Sequence, residues 1–216
     1  MKKDDFIVIS VGGSVMVPDE IDISFLQSLK KLLLSYTKKG LKFILIVGGG
    51  KTTRRYQVAA RSFPNITRKD QDDLGITTIH SNVHLLKLVF KGYEQKIKIN
   101  PDLATWKPGS SSDLGAVHMA QKYKAKILIN LTNTDGVYNK DPKKYKNAKR
   151  FNSLTWSEFR KILPSTWGPG LSTPFDPIAA RVSEHIGLTV YILNGKKLKE
   201  FEKVLKGESF LGTTIC

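Results

Sequence analysis

Two stretches decide the fold of this chain: Phe6-Ile-Val-Ile-Ser-Val-Gly-Gly-Ser14 and Lys42-Phe-Ile-Leu-Ile-Val-Gly-Gly-Gly-Lys51. Each is a short and almost wholly apolar run that stops at a cluster of glycines. Apolar runs of this length are typical of strands that are buried on both faces, as in a parallel sheet. The segment Ser24–Lys39 between them carries apolar residues at helical spacing. The sequence therefore predicts an α/β fold in which strands alternate with helices.

The same alternation continues along the rest of the chain. Further strands are predicted at Lys96–Ile99, Lys126–Leu131, Thr189–Leu193 and Thr213–Ile215. Further helices are predicted at Thr52–Ser62, Asp73–Gly92, Ser112–Tyr123, Trp156–Leu163, Asp176–Ile186 and Lys197–Leu205. For the first helix, Ser24 is the predicted N-cap and Gly40 the predicted C-cap. We expect a single domain over residues 1–216, with a mainly parallel sheet covered by helices on both faces.

The composition is that of a folded globular protein, with 40% hydrophobic and 25% charged residues among 216. Its net charge of +16 is unusual. A positive field attracts phosphate on nucleotides, nucleic acid or an anionic membrane. The alternative is that the lysines are spread over a solvated surface and serve no partner. No basic cluster is interleaved with aromatic residues in an RNA-binding pattern, so a nucleic-acid partner rests on charge alone.

The only cysteine is Cys216, which excludes a disulfide framework and a cysteine-based metal site. This usage is compatible with a reducing compartment such as the cytoplasm. The N-terminal segment resembles a signal peptide only briefly, because Asp4 and Asp5 interrupt its basic region and the apolar run is too short. No apolar run approaches the length of a membrane span, so we expect no membrane partner.

Both glycine clusters stand where a buried strand passes into a helix. Glycine lets the backbone approach a ligand closely, and the start of a helix carries a partial positive charge that suits phosphate. Neither cluster is a Walker loop or a dinucleotide fingerprint. For either cluster alone, a tight structural turn explains the glycines at least as well as phosphate binding does. Two clusters in matching positions favour phosphate binding. Lys51 and Arg54 follow the second cluster and are candidates to neutralise a transferring phosphoryl group, or are simply exposed basic residues.

Three later loops also concentrate polar groups. The segment Lys107–Asp113 offers three serines at the start of a predicted helix, one of which we expect to be its N-cap. The segment Thr132–Pro142 directly follows a buried strand and is the most specific of the three, although its Asp-Gly and Asp-Pro pairs are also common in turns. Asp176 precedes Pro177, an arrangement that caps a helix and also places a carboxylate where it can orient cationic side chains.

Taken in order, these stretches resemble the amino-acid-kinase superfamily, and within it the archaeal uridylate (UMP) kinases. The matching strings cover nearly the whole chain. They are ISVGGSVMVPDEIDISFL, LIVGGGKTTRRYQ, DDLGITTIHSN, PGSSSD, TNTDGVYNKDPKKY, FDPIAA and LKGESFLGTTI. The combination of TN-x-DGVY-x-x-DP with a later DP-x-AA is specific, whereas each glycine string alone is not.

The resemblance implies a three-layer α/β/α sandwich that transfers the γ-phosphoryl group of ATP, with Mg²⁺, to the phosphate of UMP in pyrimidine biosynthesis. It implies no dedicated protein metal site, a cytoplasmic location and a homo-oligomer, usually a hexamer. The implied catalytic residues are Asp176 and Arg54, and Lys51 is added to them as a catalytic candidate because of its position after the second glycine cluster. The implied ATP-binding residues are Gly12, Gly13, Gly49, Arg54, Thr132, Asn133, Tyr138 and Asp141. The implied UMP-binding residues are Gly48, Asp73, Trp106, Lys107, Pro108, Gly109, Ser110, Ser111 and Ser112.

The chain departs from the family pattern mainly on the acceptor side. The stretch from Tyr93 to Lys107 is shorter than in the family by about a helix and a strand, and the usual Gly-Gly before the UMP loop is absent. Two alternatives to UMP kinase activity therefore stay open. One is an enzyme of the same fold that acts on another small phosphate, phosphonate or carboxylate. The other is a catalytically weak nucleotide-binding or RNA-associated assembly protein.

Overall fold

The structure is a computed structural model, and it describes residues 5–102, 111–163 and 173–216. Within these residues seven strands form one sheet. Their bounds are Phe6–Val11 (β1), Lys42–Val47 (β2), Ile97–Ile99 (β3), Ile127–Thr132 (β4), Ser153–Leu154 (β5), Thr189–Asn194 (β6) and Thr213–Ile215 (β7). The apolar runs of the two opening stretches, Phe6–Val11 and Lys42–Val47, are therefore strands, as predicted.

The sheet is mainly parallel, as predicted. Its strand order is β3-β2-β1-β4-β6-β7-β5. Every neighbouring pair is parallel except β6 with β7, which is antiparallel. The central strands β1, β2, β4 and β6 run side by side in one direction, so their carboxyl ends share one edge of the sheet. In sheets of this kind ligands bind beyond that edge.

Eight helices lie in the described residues. Their bounds are Gly13–Met16 (α1), Ile23–Thr37 (α2), Gly50–Ala60 (α3), Arg68–Val89 (α4), Ser112–Lys122 (α5), Trp156–Ile162 (α6), Pro177–His185 (α7) and Leu198–Lys206 (α8). The one-turn helix α1 and the two-residue strand β5 were not predicted, because elements so short carry no measurable periodicity. No helix in these described parts is long and apolar enough to cross a membrane.

Two apolar clusters, one on each face of the sheet, make the molecule a three-layer α/β/α sandwich. Alternate residues of β1 show the division, since Ile9 belongs to one cluster and Val8 to the other. The first cluster also contains Leu29 of α2 and Phe201 of α8, while the second contains Phe159 of α6. Strands buried on both faces need apolar residues at successive positions, which is why these runs do not alternate with polar residues.

The predicted caps of the first helix were wrong. Asp22 is the N-cap of α2, and its Oδ1 accepts a hydrogen bond of 2.9 Å from the Phe25 amide. Ser24 instead donates its hydroxyl to the same oxygen at 2.8 Å. At the other end Lys38 is the C-cap, and Gly40, with φ of +94°, lies in the turn that leads to β2. An ionised carboxylate is the stronger acceptor for the first amides, and the N-cap lies two residues earlier than predicted.

Candidate active site

The two glycine turns touch each other at the carboxyl edge of the sheet. A Cβ added to Gly13 would collide with the backbone nitrogen of Gly50, and one added to Gly50 would lie 2.5 Å from the Gly13 carbonyl oxygen. Gly50 also has φ of +70°, in the left-handed region that glycine favours. On the other side, the Gly12 amide donates to the Leu131 carbonyl of β4 at 2.9 Å. Backbone amides of both turns are thus concentrated in one small volume.

The start of α5 comes next to this pair of turns. A Cβ on Gly48 would lie 3.4 Å from the Ser112 Oγ, so the predicted acceptor loop reaches the second glycine turn. Ser111 is the N-cap of α5, as expected for one of the three serines, and its Oγ accepts from the Leu114 amide at 3.0 Å. The other predicted residues of this loop lie outside the described residues; they are Trp106, Lys107, Pro108, Gly109 and Ser110.

A pair of aspartates stands where α5 and α7 begin. Asp176 is buried, caps α7, and its Oδ1 accepts from the amides of Ile178 at 2.6 Å and Ala179 at 2.8 Å. Its own amide donates to the Oδ2 of Asp113 at 3.1 Å. The Oδ1 of Asp113 accepts a hydrogen bond of 3.3 Å from the hydroxyl of Ser10 in β1. Asp113 thereby joins the central strand to the N-terminus of α7.

The environment of Asp113 disfavours its ionised form. Burial is the main cause, and the neighbouring charge of Asp176 adds to it, while hydrogen bonds from the Asp176 amide and the Ser10 hydroxyl act in the opposite direction. Together they raise the pKa of Asp113 to about 7. Near neutral pH this carboxyl is therefore protonated in part of the molecules, which reduces the negative charge beside the glycine turns.

The predicted cations on α3 differ in their partners. Lys51 Nζ lies 2.7 Å from the Oδ1 of Asp19, and Arg55 contacts the same oxygen at 2.5 Å. The hydrogen bond from Lys51 and the charge of Arg55 lower the pKa of Asp19. Arg54 is exposed and makes no ion pair within the described parts of the chain. Its charge remains available to a ligand, whereas that of Lys51 is largely offset.

Asp73 is exposed on α4, which packs against α3. Thr53 and Thr78 join the two helices through a close contact between their hydroxyls. A Cβ on Gly49 would collide with the Thr53 side chain, so this contact also restricts the second glycine turn. Among the described residues, no hydrogen bond or ion pair links the Asp73 side chain to either glycine turn.

The predicted nucleoside-binding residues all lie on the excursion that follows β4. The Oγ1 of Thr132 bonds to the Thr134 carbonyl at 3.1 Å, which closes a tight turn around the exposed Asn133. Tyr138 forms an isolated antiparallel bridge with Arg150, where the excursion returns. Farther out, the Oδ1 of Asp141 accepts from the Lys143 amide at 2.9 Å. The predicted nucleoside-binding residues thus lie on one continuous segment that starts at the carboxyl edge of the sheet.

Comparison with known proteins agrees with this geometry. The profile of the amino acid kinase family matches residues 97–194. A uridylate kinase of Pyrococcus abyssi is 32% identical over 223 residues, which cover 97% of this chain and 98% of that relative. A uridylate kinase of Thermococcus onnurineus is 32% identical over 216 residues, covering 94% and 96%. The chain belongs to the amino acid kinase family. The predicted resemblance to its archaeal uridylate kinases is confirmed.

Solved structures place this amino acid kinase in the same fold. The uridylate kinase of Archaeoglobus fulgidus superposes with a TM-score of 0.77 at 25% identity, covering 97% of this chain and 99% of that one. A UMP kinase of Bacillus anthracis gives a TM-score of 0.79 at 16% identity, with coverage of 99% and 96%, which shows the fold alone. The full-length coverage shows that the shared architecture includes both faces of the sheet.

Two buried asparagines that were not predicted as site residues hold the second glycine turn of this amino acid kinase. Asn82 of α4 donates to the Gly48 carbonyl at 3.0 Å. Asn100, directly after β3, accepts from the Val47 amide at 2.9 Å and itself has φ of +36°. Asn82 is a polar residue within a largely apolar helix face, and Asn100 directly follows a strand. Both positions are therefore recognisable in the sequence as places for a buried polar contact. Their partners lie far away in sequence, which concealed their role.

Asp113 was also missed as a site residue, although it ends the quoted string PGSSSD. Acidic residues are common in the first turn of a helix, where they stabilise the positive end of its dipole. That ordinary explanation hid its contacts with Ser10 and Asp176, which come from β1 and the start of α7. Only the folded sheet brings those three elements together.

Two cavities are lined by residues outside the glycine turns. One, of about 320 Å³, lies between α3 and α4 beside the predicted acceptor residue Asp73. It is lined by Gln57, Arg61, Arg68, Gln71 and Asp72. The other, of about 460 Å³, lies between the N-terminal ends of α2 and α8. Its lining includes Lys196 and Lys197, and each of these pairs with an aspartate.

Proposed function

We propose that this amino acid kinase is a uridylate kinase, which transfers the γ-phosphoryl group of ATP to the phosphate of UMP and releases ADP and UDP. The observation that carries the proposal is the contact between the two glycine turns. The first turn also lies against the end of β4, where the segment proposed to bind the nucleoside begins, and the second lies against Ser112 at the start of α5. A donor and an acceptor nucleotide bound at these two segments would meet at the glycines. Relatives that cover nearly the whole chain are uridylate kinases.

The donor nucleotide would occupy the side of β1 and β4. Backbone amides of Gly13 and Gly49 would bind its phosphates, and Gly12, whose own amide is bonded to the Leu131 carbonyl, would let the turn approach them closely. The nucleoside would lie on the segment after β4, in contact with Thr132, Asn133, Tyr138 and Asp141.

The acceptor would occupy the side of β2 and α5. Gly48, Asp73, Ser111 and Ser112 are its candidate ligands among the described residues, together with the loop residues Trp106 to Ser110. Asn82 and Asn100 support this side by fixing the backbone of the second glycine turn. The exposed carboxylate of Asp73 suits a ribose hydroxyl better than a phosphate, since it would repel an anion.

Phosphoryl transfer needs positioning and neutralisation of charge more than it needs covalent chemistry. Arg54 lies on the first turn after the second glycine turn and has no ion-pair partner in the described ranges, so it would neutralise the transferring group. Lys51 would add to this charge only after leaving Asp19. Asp176 would organise the centre, because its position is fixed by two amides at the start of α7. No general base is required, since the acceptor phosphate is already largely ionised.

The residues present fit a magnesium ion that arrives with ATP. In the described residues, no three acidic, histidine or cysteine side chains are grouped as a metal site. Mg²⁺ prefers octahedral oxygen ligands and retains several waters, so phosphate oxygens and water would supply most of its coordination. Asp176 is the nearby carboxylate that would orient the hydrated ion, because its Oδ2 has no hydrogen-bond donor in the described part of the chain.

The protein would work as a homo-oligomer in the cytoplasm, where both nucleotides are present. The family resemblance points to a hexamer. Exposed apolar side chains on α3 and the turn after it support an interface there, with Tyr56 54%, Val58 62% and Phe63 64% exposed. Light scattering on the purified protein tests this proposal, since a monomer mass would contradict it.

An acceptor screen with ATP and Mg²⁺ tests the activity. ADP release is measured with UMP, CMP, other nucleoside monophosphates, and small phosphates, phosphonates and carboxylates. We expect UMP to give the highest kcat/KM. If another acceptor gives the highest kcat/KM, the assignment of UMP is wrong, but the assignment of kinase activity stands. If no acceptor is used while ATP still binds, the chain is a nucleotide-binding protein, and retention of RNA that weakens steeply with salt would indicate its partner.

A further inference from the structure

Asp135 lies within the segment after β4 but is not among the residues expected to touch a nucleotide. Both of its carboxylate oxygens accept hydrogen bonds from side chains at the end of β6 and the start of α8. Asn194 Nδ2 donates to Oδ1 at 3.0 Å, and Lys197 Nζ donates to Oδ2 at 2.8 Å. Burial alone would raise the pKa of Asp135, but these two hydrogen bonds outweigh it and the pKa lies below its ordinary value. The aspartate is therefore ionised and fully engaged at neutral pH.

The two donors are themselves held in place. Asn194 ends β6 and Lys197 is the N-cap of α8, and the Lys197 amide donates to the Asn194 carbonyl at 2.9 Å. Between them, the Gly195 amide donates to the Thr132 carbonyl at 2.9 Å, which ties the turn directly to the end of β4. A Cβ on Gly195 would collide with the Val15 side chain of α1 and lie 3.2 Å from the Leu131 Cβ, so this turn packs tightly on α1 and on the end of β4.

The far side of the same segment is held by the last strand. The Oγ1 of Thr213 accepts from the Val137 amide at 2.9 Å and donates to the Phe151 carbonyl at 2.6 Å. A Cβ on Gly136 would lie only 2.6 Å from that oxygen. The stretch from Asp135 to Val137 is thus fixed from two sides, and residues that are predicted to contact the nucleoside flank it directly.

We propose that Asn194 and Lys197 are positioning residues for the donor nucleotide, which act by holding Asp135 and thereby set the conformation of the Thr132–Tyr138 segment. This inference rests on the proposed binding of the ATP nucleoside by that segment. Because Asp135 has both oxygens occupied, it contributes to affinity through backbone geometry and not through contact with the ligand. The acceptor side, formed by β2, α4 and α5, shares none of these bonds.

The first test compares Lys197→Met with Lys199→Met, a matched change two residues along that removes a lysine without an ion pair in the described residues. ATP affinity is measured by calorimetry with Mg²⁺ and without acceptor, and KM for ATP and for UMP is measured at steady state. We expect Lys197→Met to weaken ATP binding and raise KM for ATP by roughly three- to tenfold, as fits a partly exposed ion pair that orders a loop. KM for UMP and kcat stay near those of the wild type, Lys199→Met behaves as the wild type, and Lys197→Arg recovers most of the affinity.

A double-mutant cycle shows whether Lys197 acts through Asp135. Asp135→Asn keeps the acceptor for Asn194 but loses the charge, and the double variant with Lys197→Met is expected to bind ATP no more weakly than the poorer single variant. Additive losses would overturn the inference, and so would ATP affinity unchanged in Lys197→Met or equal losses for ATP and UMP. Since the binding measurement uses no acceptor, failure of UMP as a substrate would leave this result standing on its own.

Discussion

At the scale of the residue, the carboxyl group of Asp113 makes stability depend on pH in an unusual direction. Its pKa is about 7 in the fold, against an ordinary value of 3.8. The folded state therefore binds more protons than the unfolded state between these values, so this residue's contribution is present at low pH and is lost as pH rises from about 4 to about 7. Acids whose pKa is lowered, such as Asp22 with a pKa of about 2, change their contribution to stability below pH 4 and so do not affect this range.

Asp113→Asn should remove this dependence. We expect the fall in thermal midpoint between pH 5 and pH 8 to be smaller in the variant by roughly 5 °C, because the amide is neutral throughout. Thermal scans of both proteins in the same buffers measure the difference. An identical pH dependence in the two proteins would show that Asp113 is ionised in the fold.

Arg54 and Lys51 carry the same charge on the same helix, but their surroundings predict unequal roles. Arg54→Ala should lower kcat by about a hundredfold, since it removes an unpaired cation from the transferring group. Lys51→Ala should lower it several times less, because Asp19 already neutralises that lysine. Single-turnover rates at saturating ATP and UMP give the comparison. A larger loss for Lys51→Ala would mean that Asp19 releases the lysine when nucleotides bind.

At the scale of the element, the two glycine turns pack directly against each other through their backbones. Gly13→Ala puts a methyl group against the backbone of Gly50, which cannot rotate away, so we expect a loss of about 2 kcal/mol or more in the free energy of unfolding. Gly92→Ala is the matched control. Its φ of +89° is strained for alanine but no atom lies within 4 Å, so its cost is about 1 kcal/mol.

Urea denaturation of both variants measures the difference. Gly13→Ala should also reduce ATP affinity, while Gly92→Ala should not, because Gly92 lies at the opposite end of β3 from the site. Equal stability losses in the two variants would show that the turns can separate without cost.

The sequence predicted the elements well wherever a local pattern was long enough. The apolar runs of β1 and β2 and the Asp176–Pro177 cap need only neighbouring residues to be recognised. The one-turn helix α1 is too short to show a periodicity, and Asp22 was overlooked because the nearby Ser24 is also a common type of N-cap residue. In the site, the glycine turns were predicted, but Asp113 and Asn100 act through partners on other elements that are distant in sequence, so no spacing along the chain identified their roles.

At the scale of the whole molecule, the net charge of +16 is an excess of lysine and arginine that remains after every acidic residue is counted. Mutual repulsion among lysines destabilises the compact state and is screened by salt, whereas isolated surface ion pairs contribute little. Raising KCl from about 0.05 M to about 0.3 M should therefore raise the thermal midpoint by about 2–5 °C. Differential scanning fluorimetry without nucleotide measures it. A falling midpoint would mean that the ion pairs outweigh the repulsion.

The contact between Gly13 and Gly50 also has a consequence for the evolution of this enzyme. Each glycine meets the other through main-chain atoms, so a larger residue at one position cannot be accommodated by a smaller one at its neighbour, which is already the smallest. The pair therefore has no compensating double substitution. In a library randomised at both codons and selected for growth, only the glycine pair should survive, and changes of substrate preference must arise in the flanking loops.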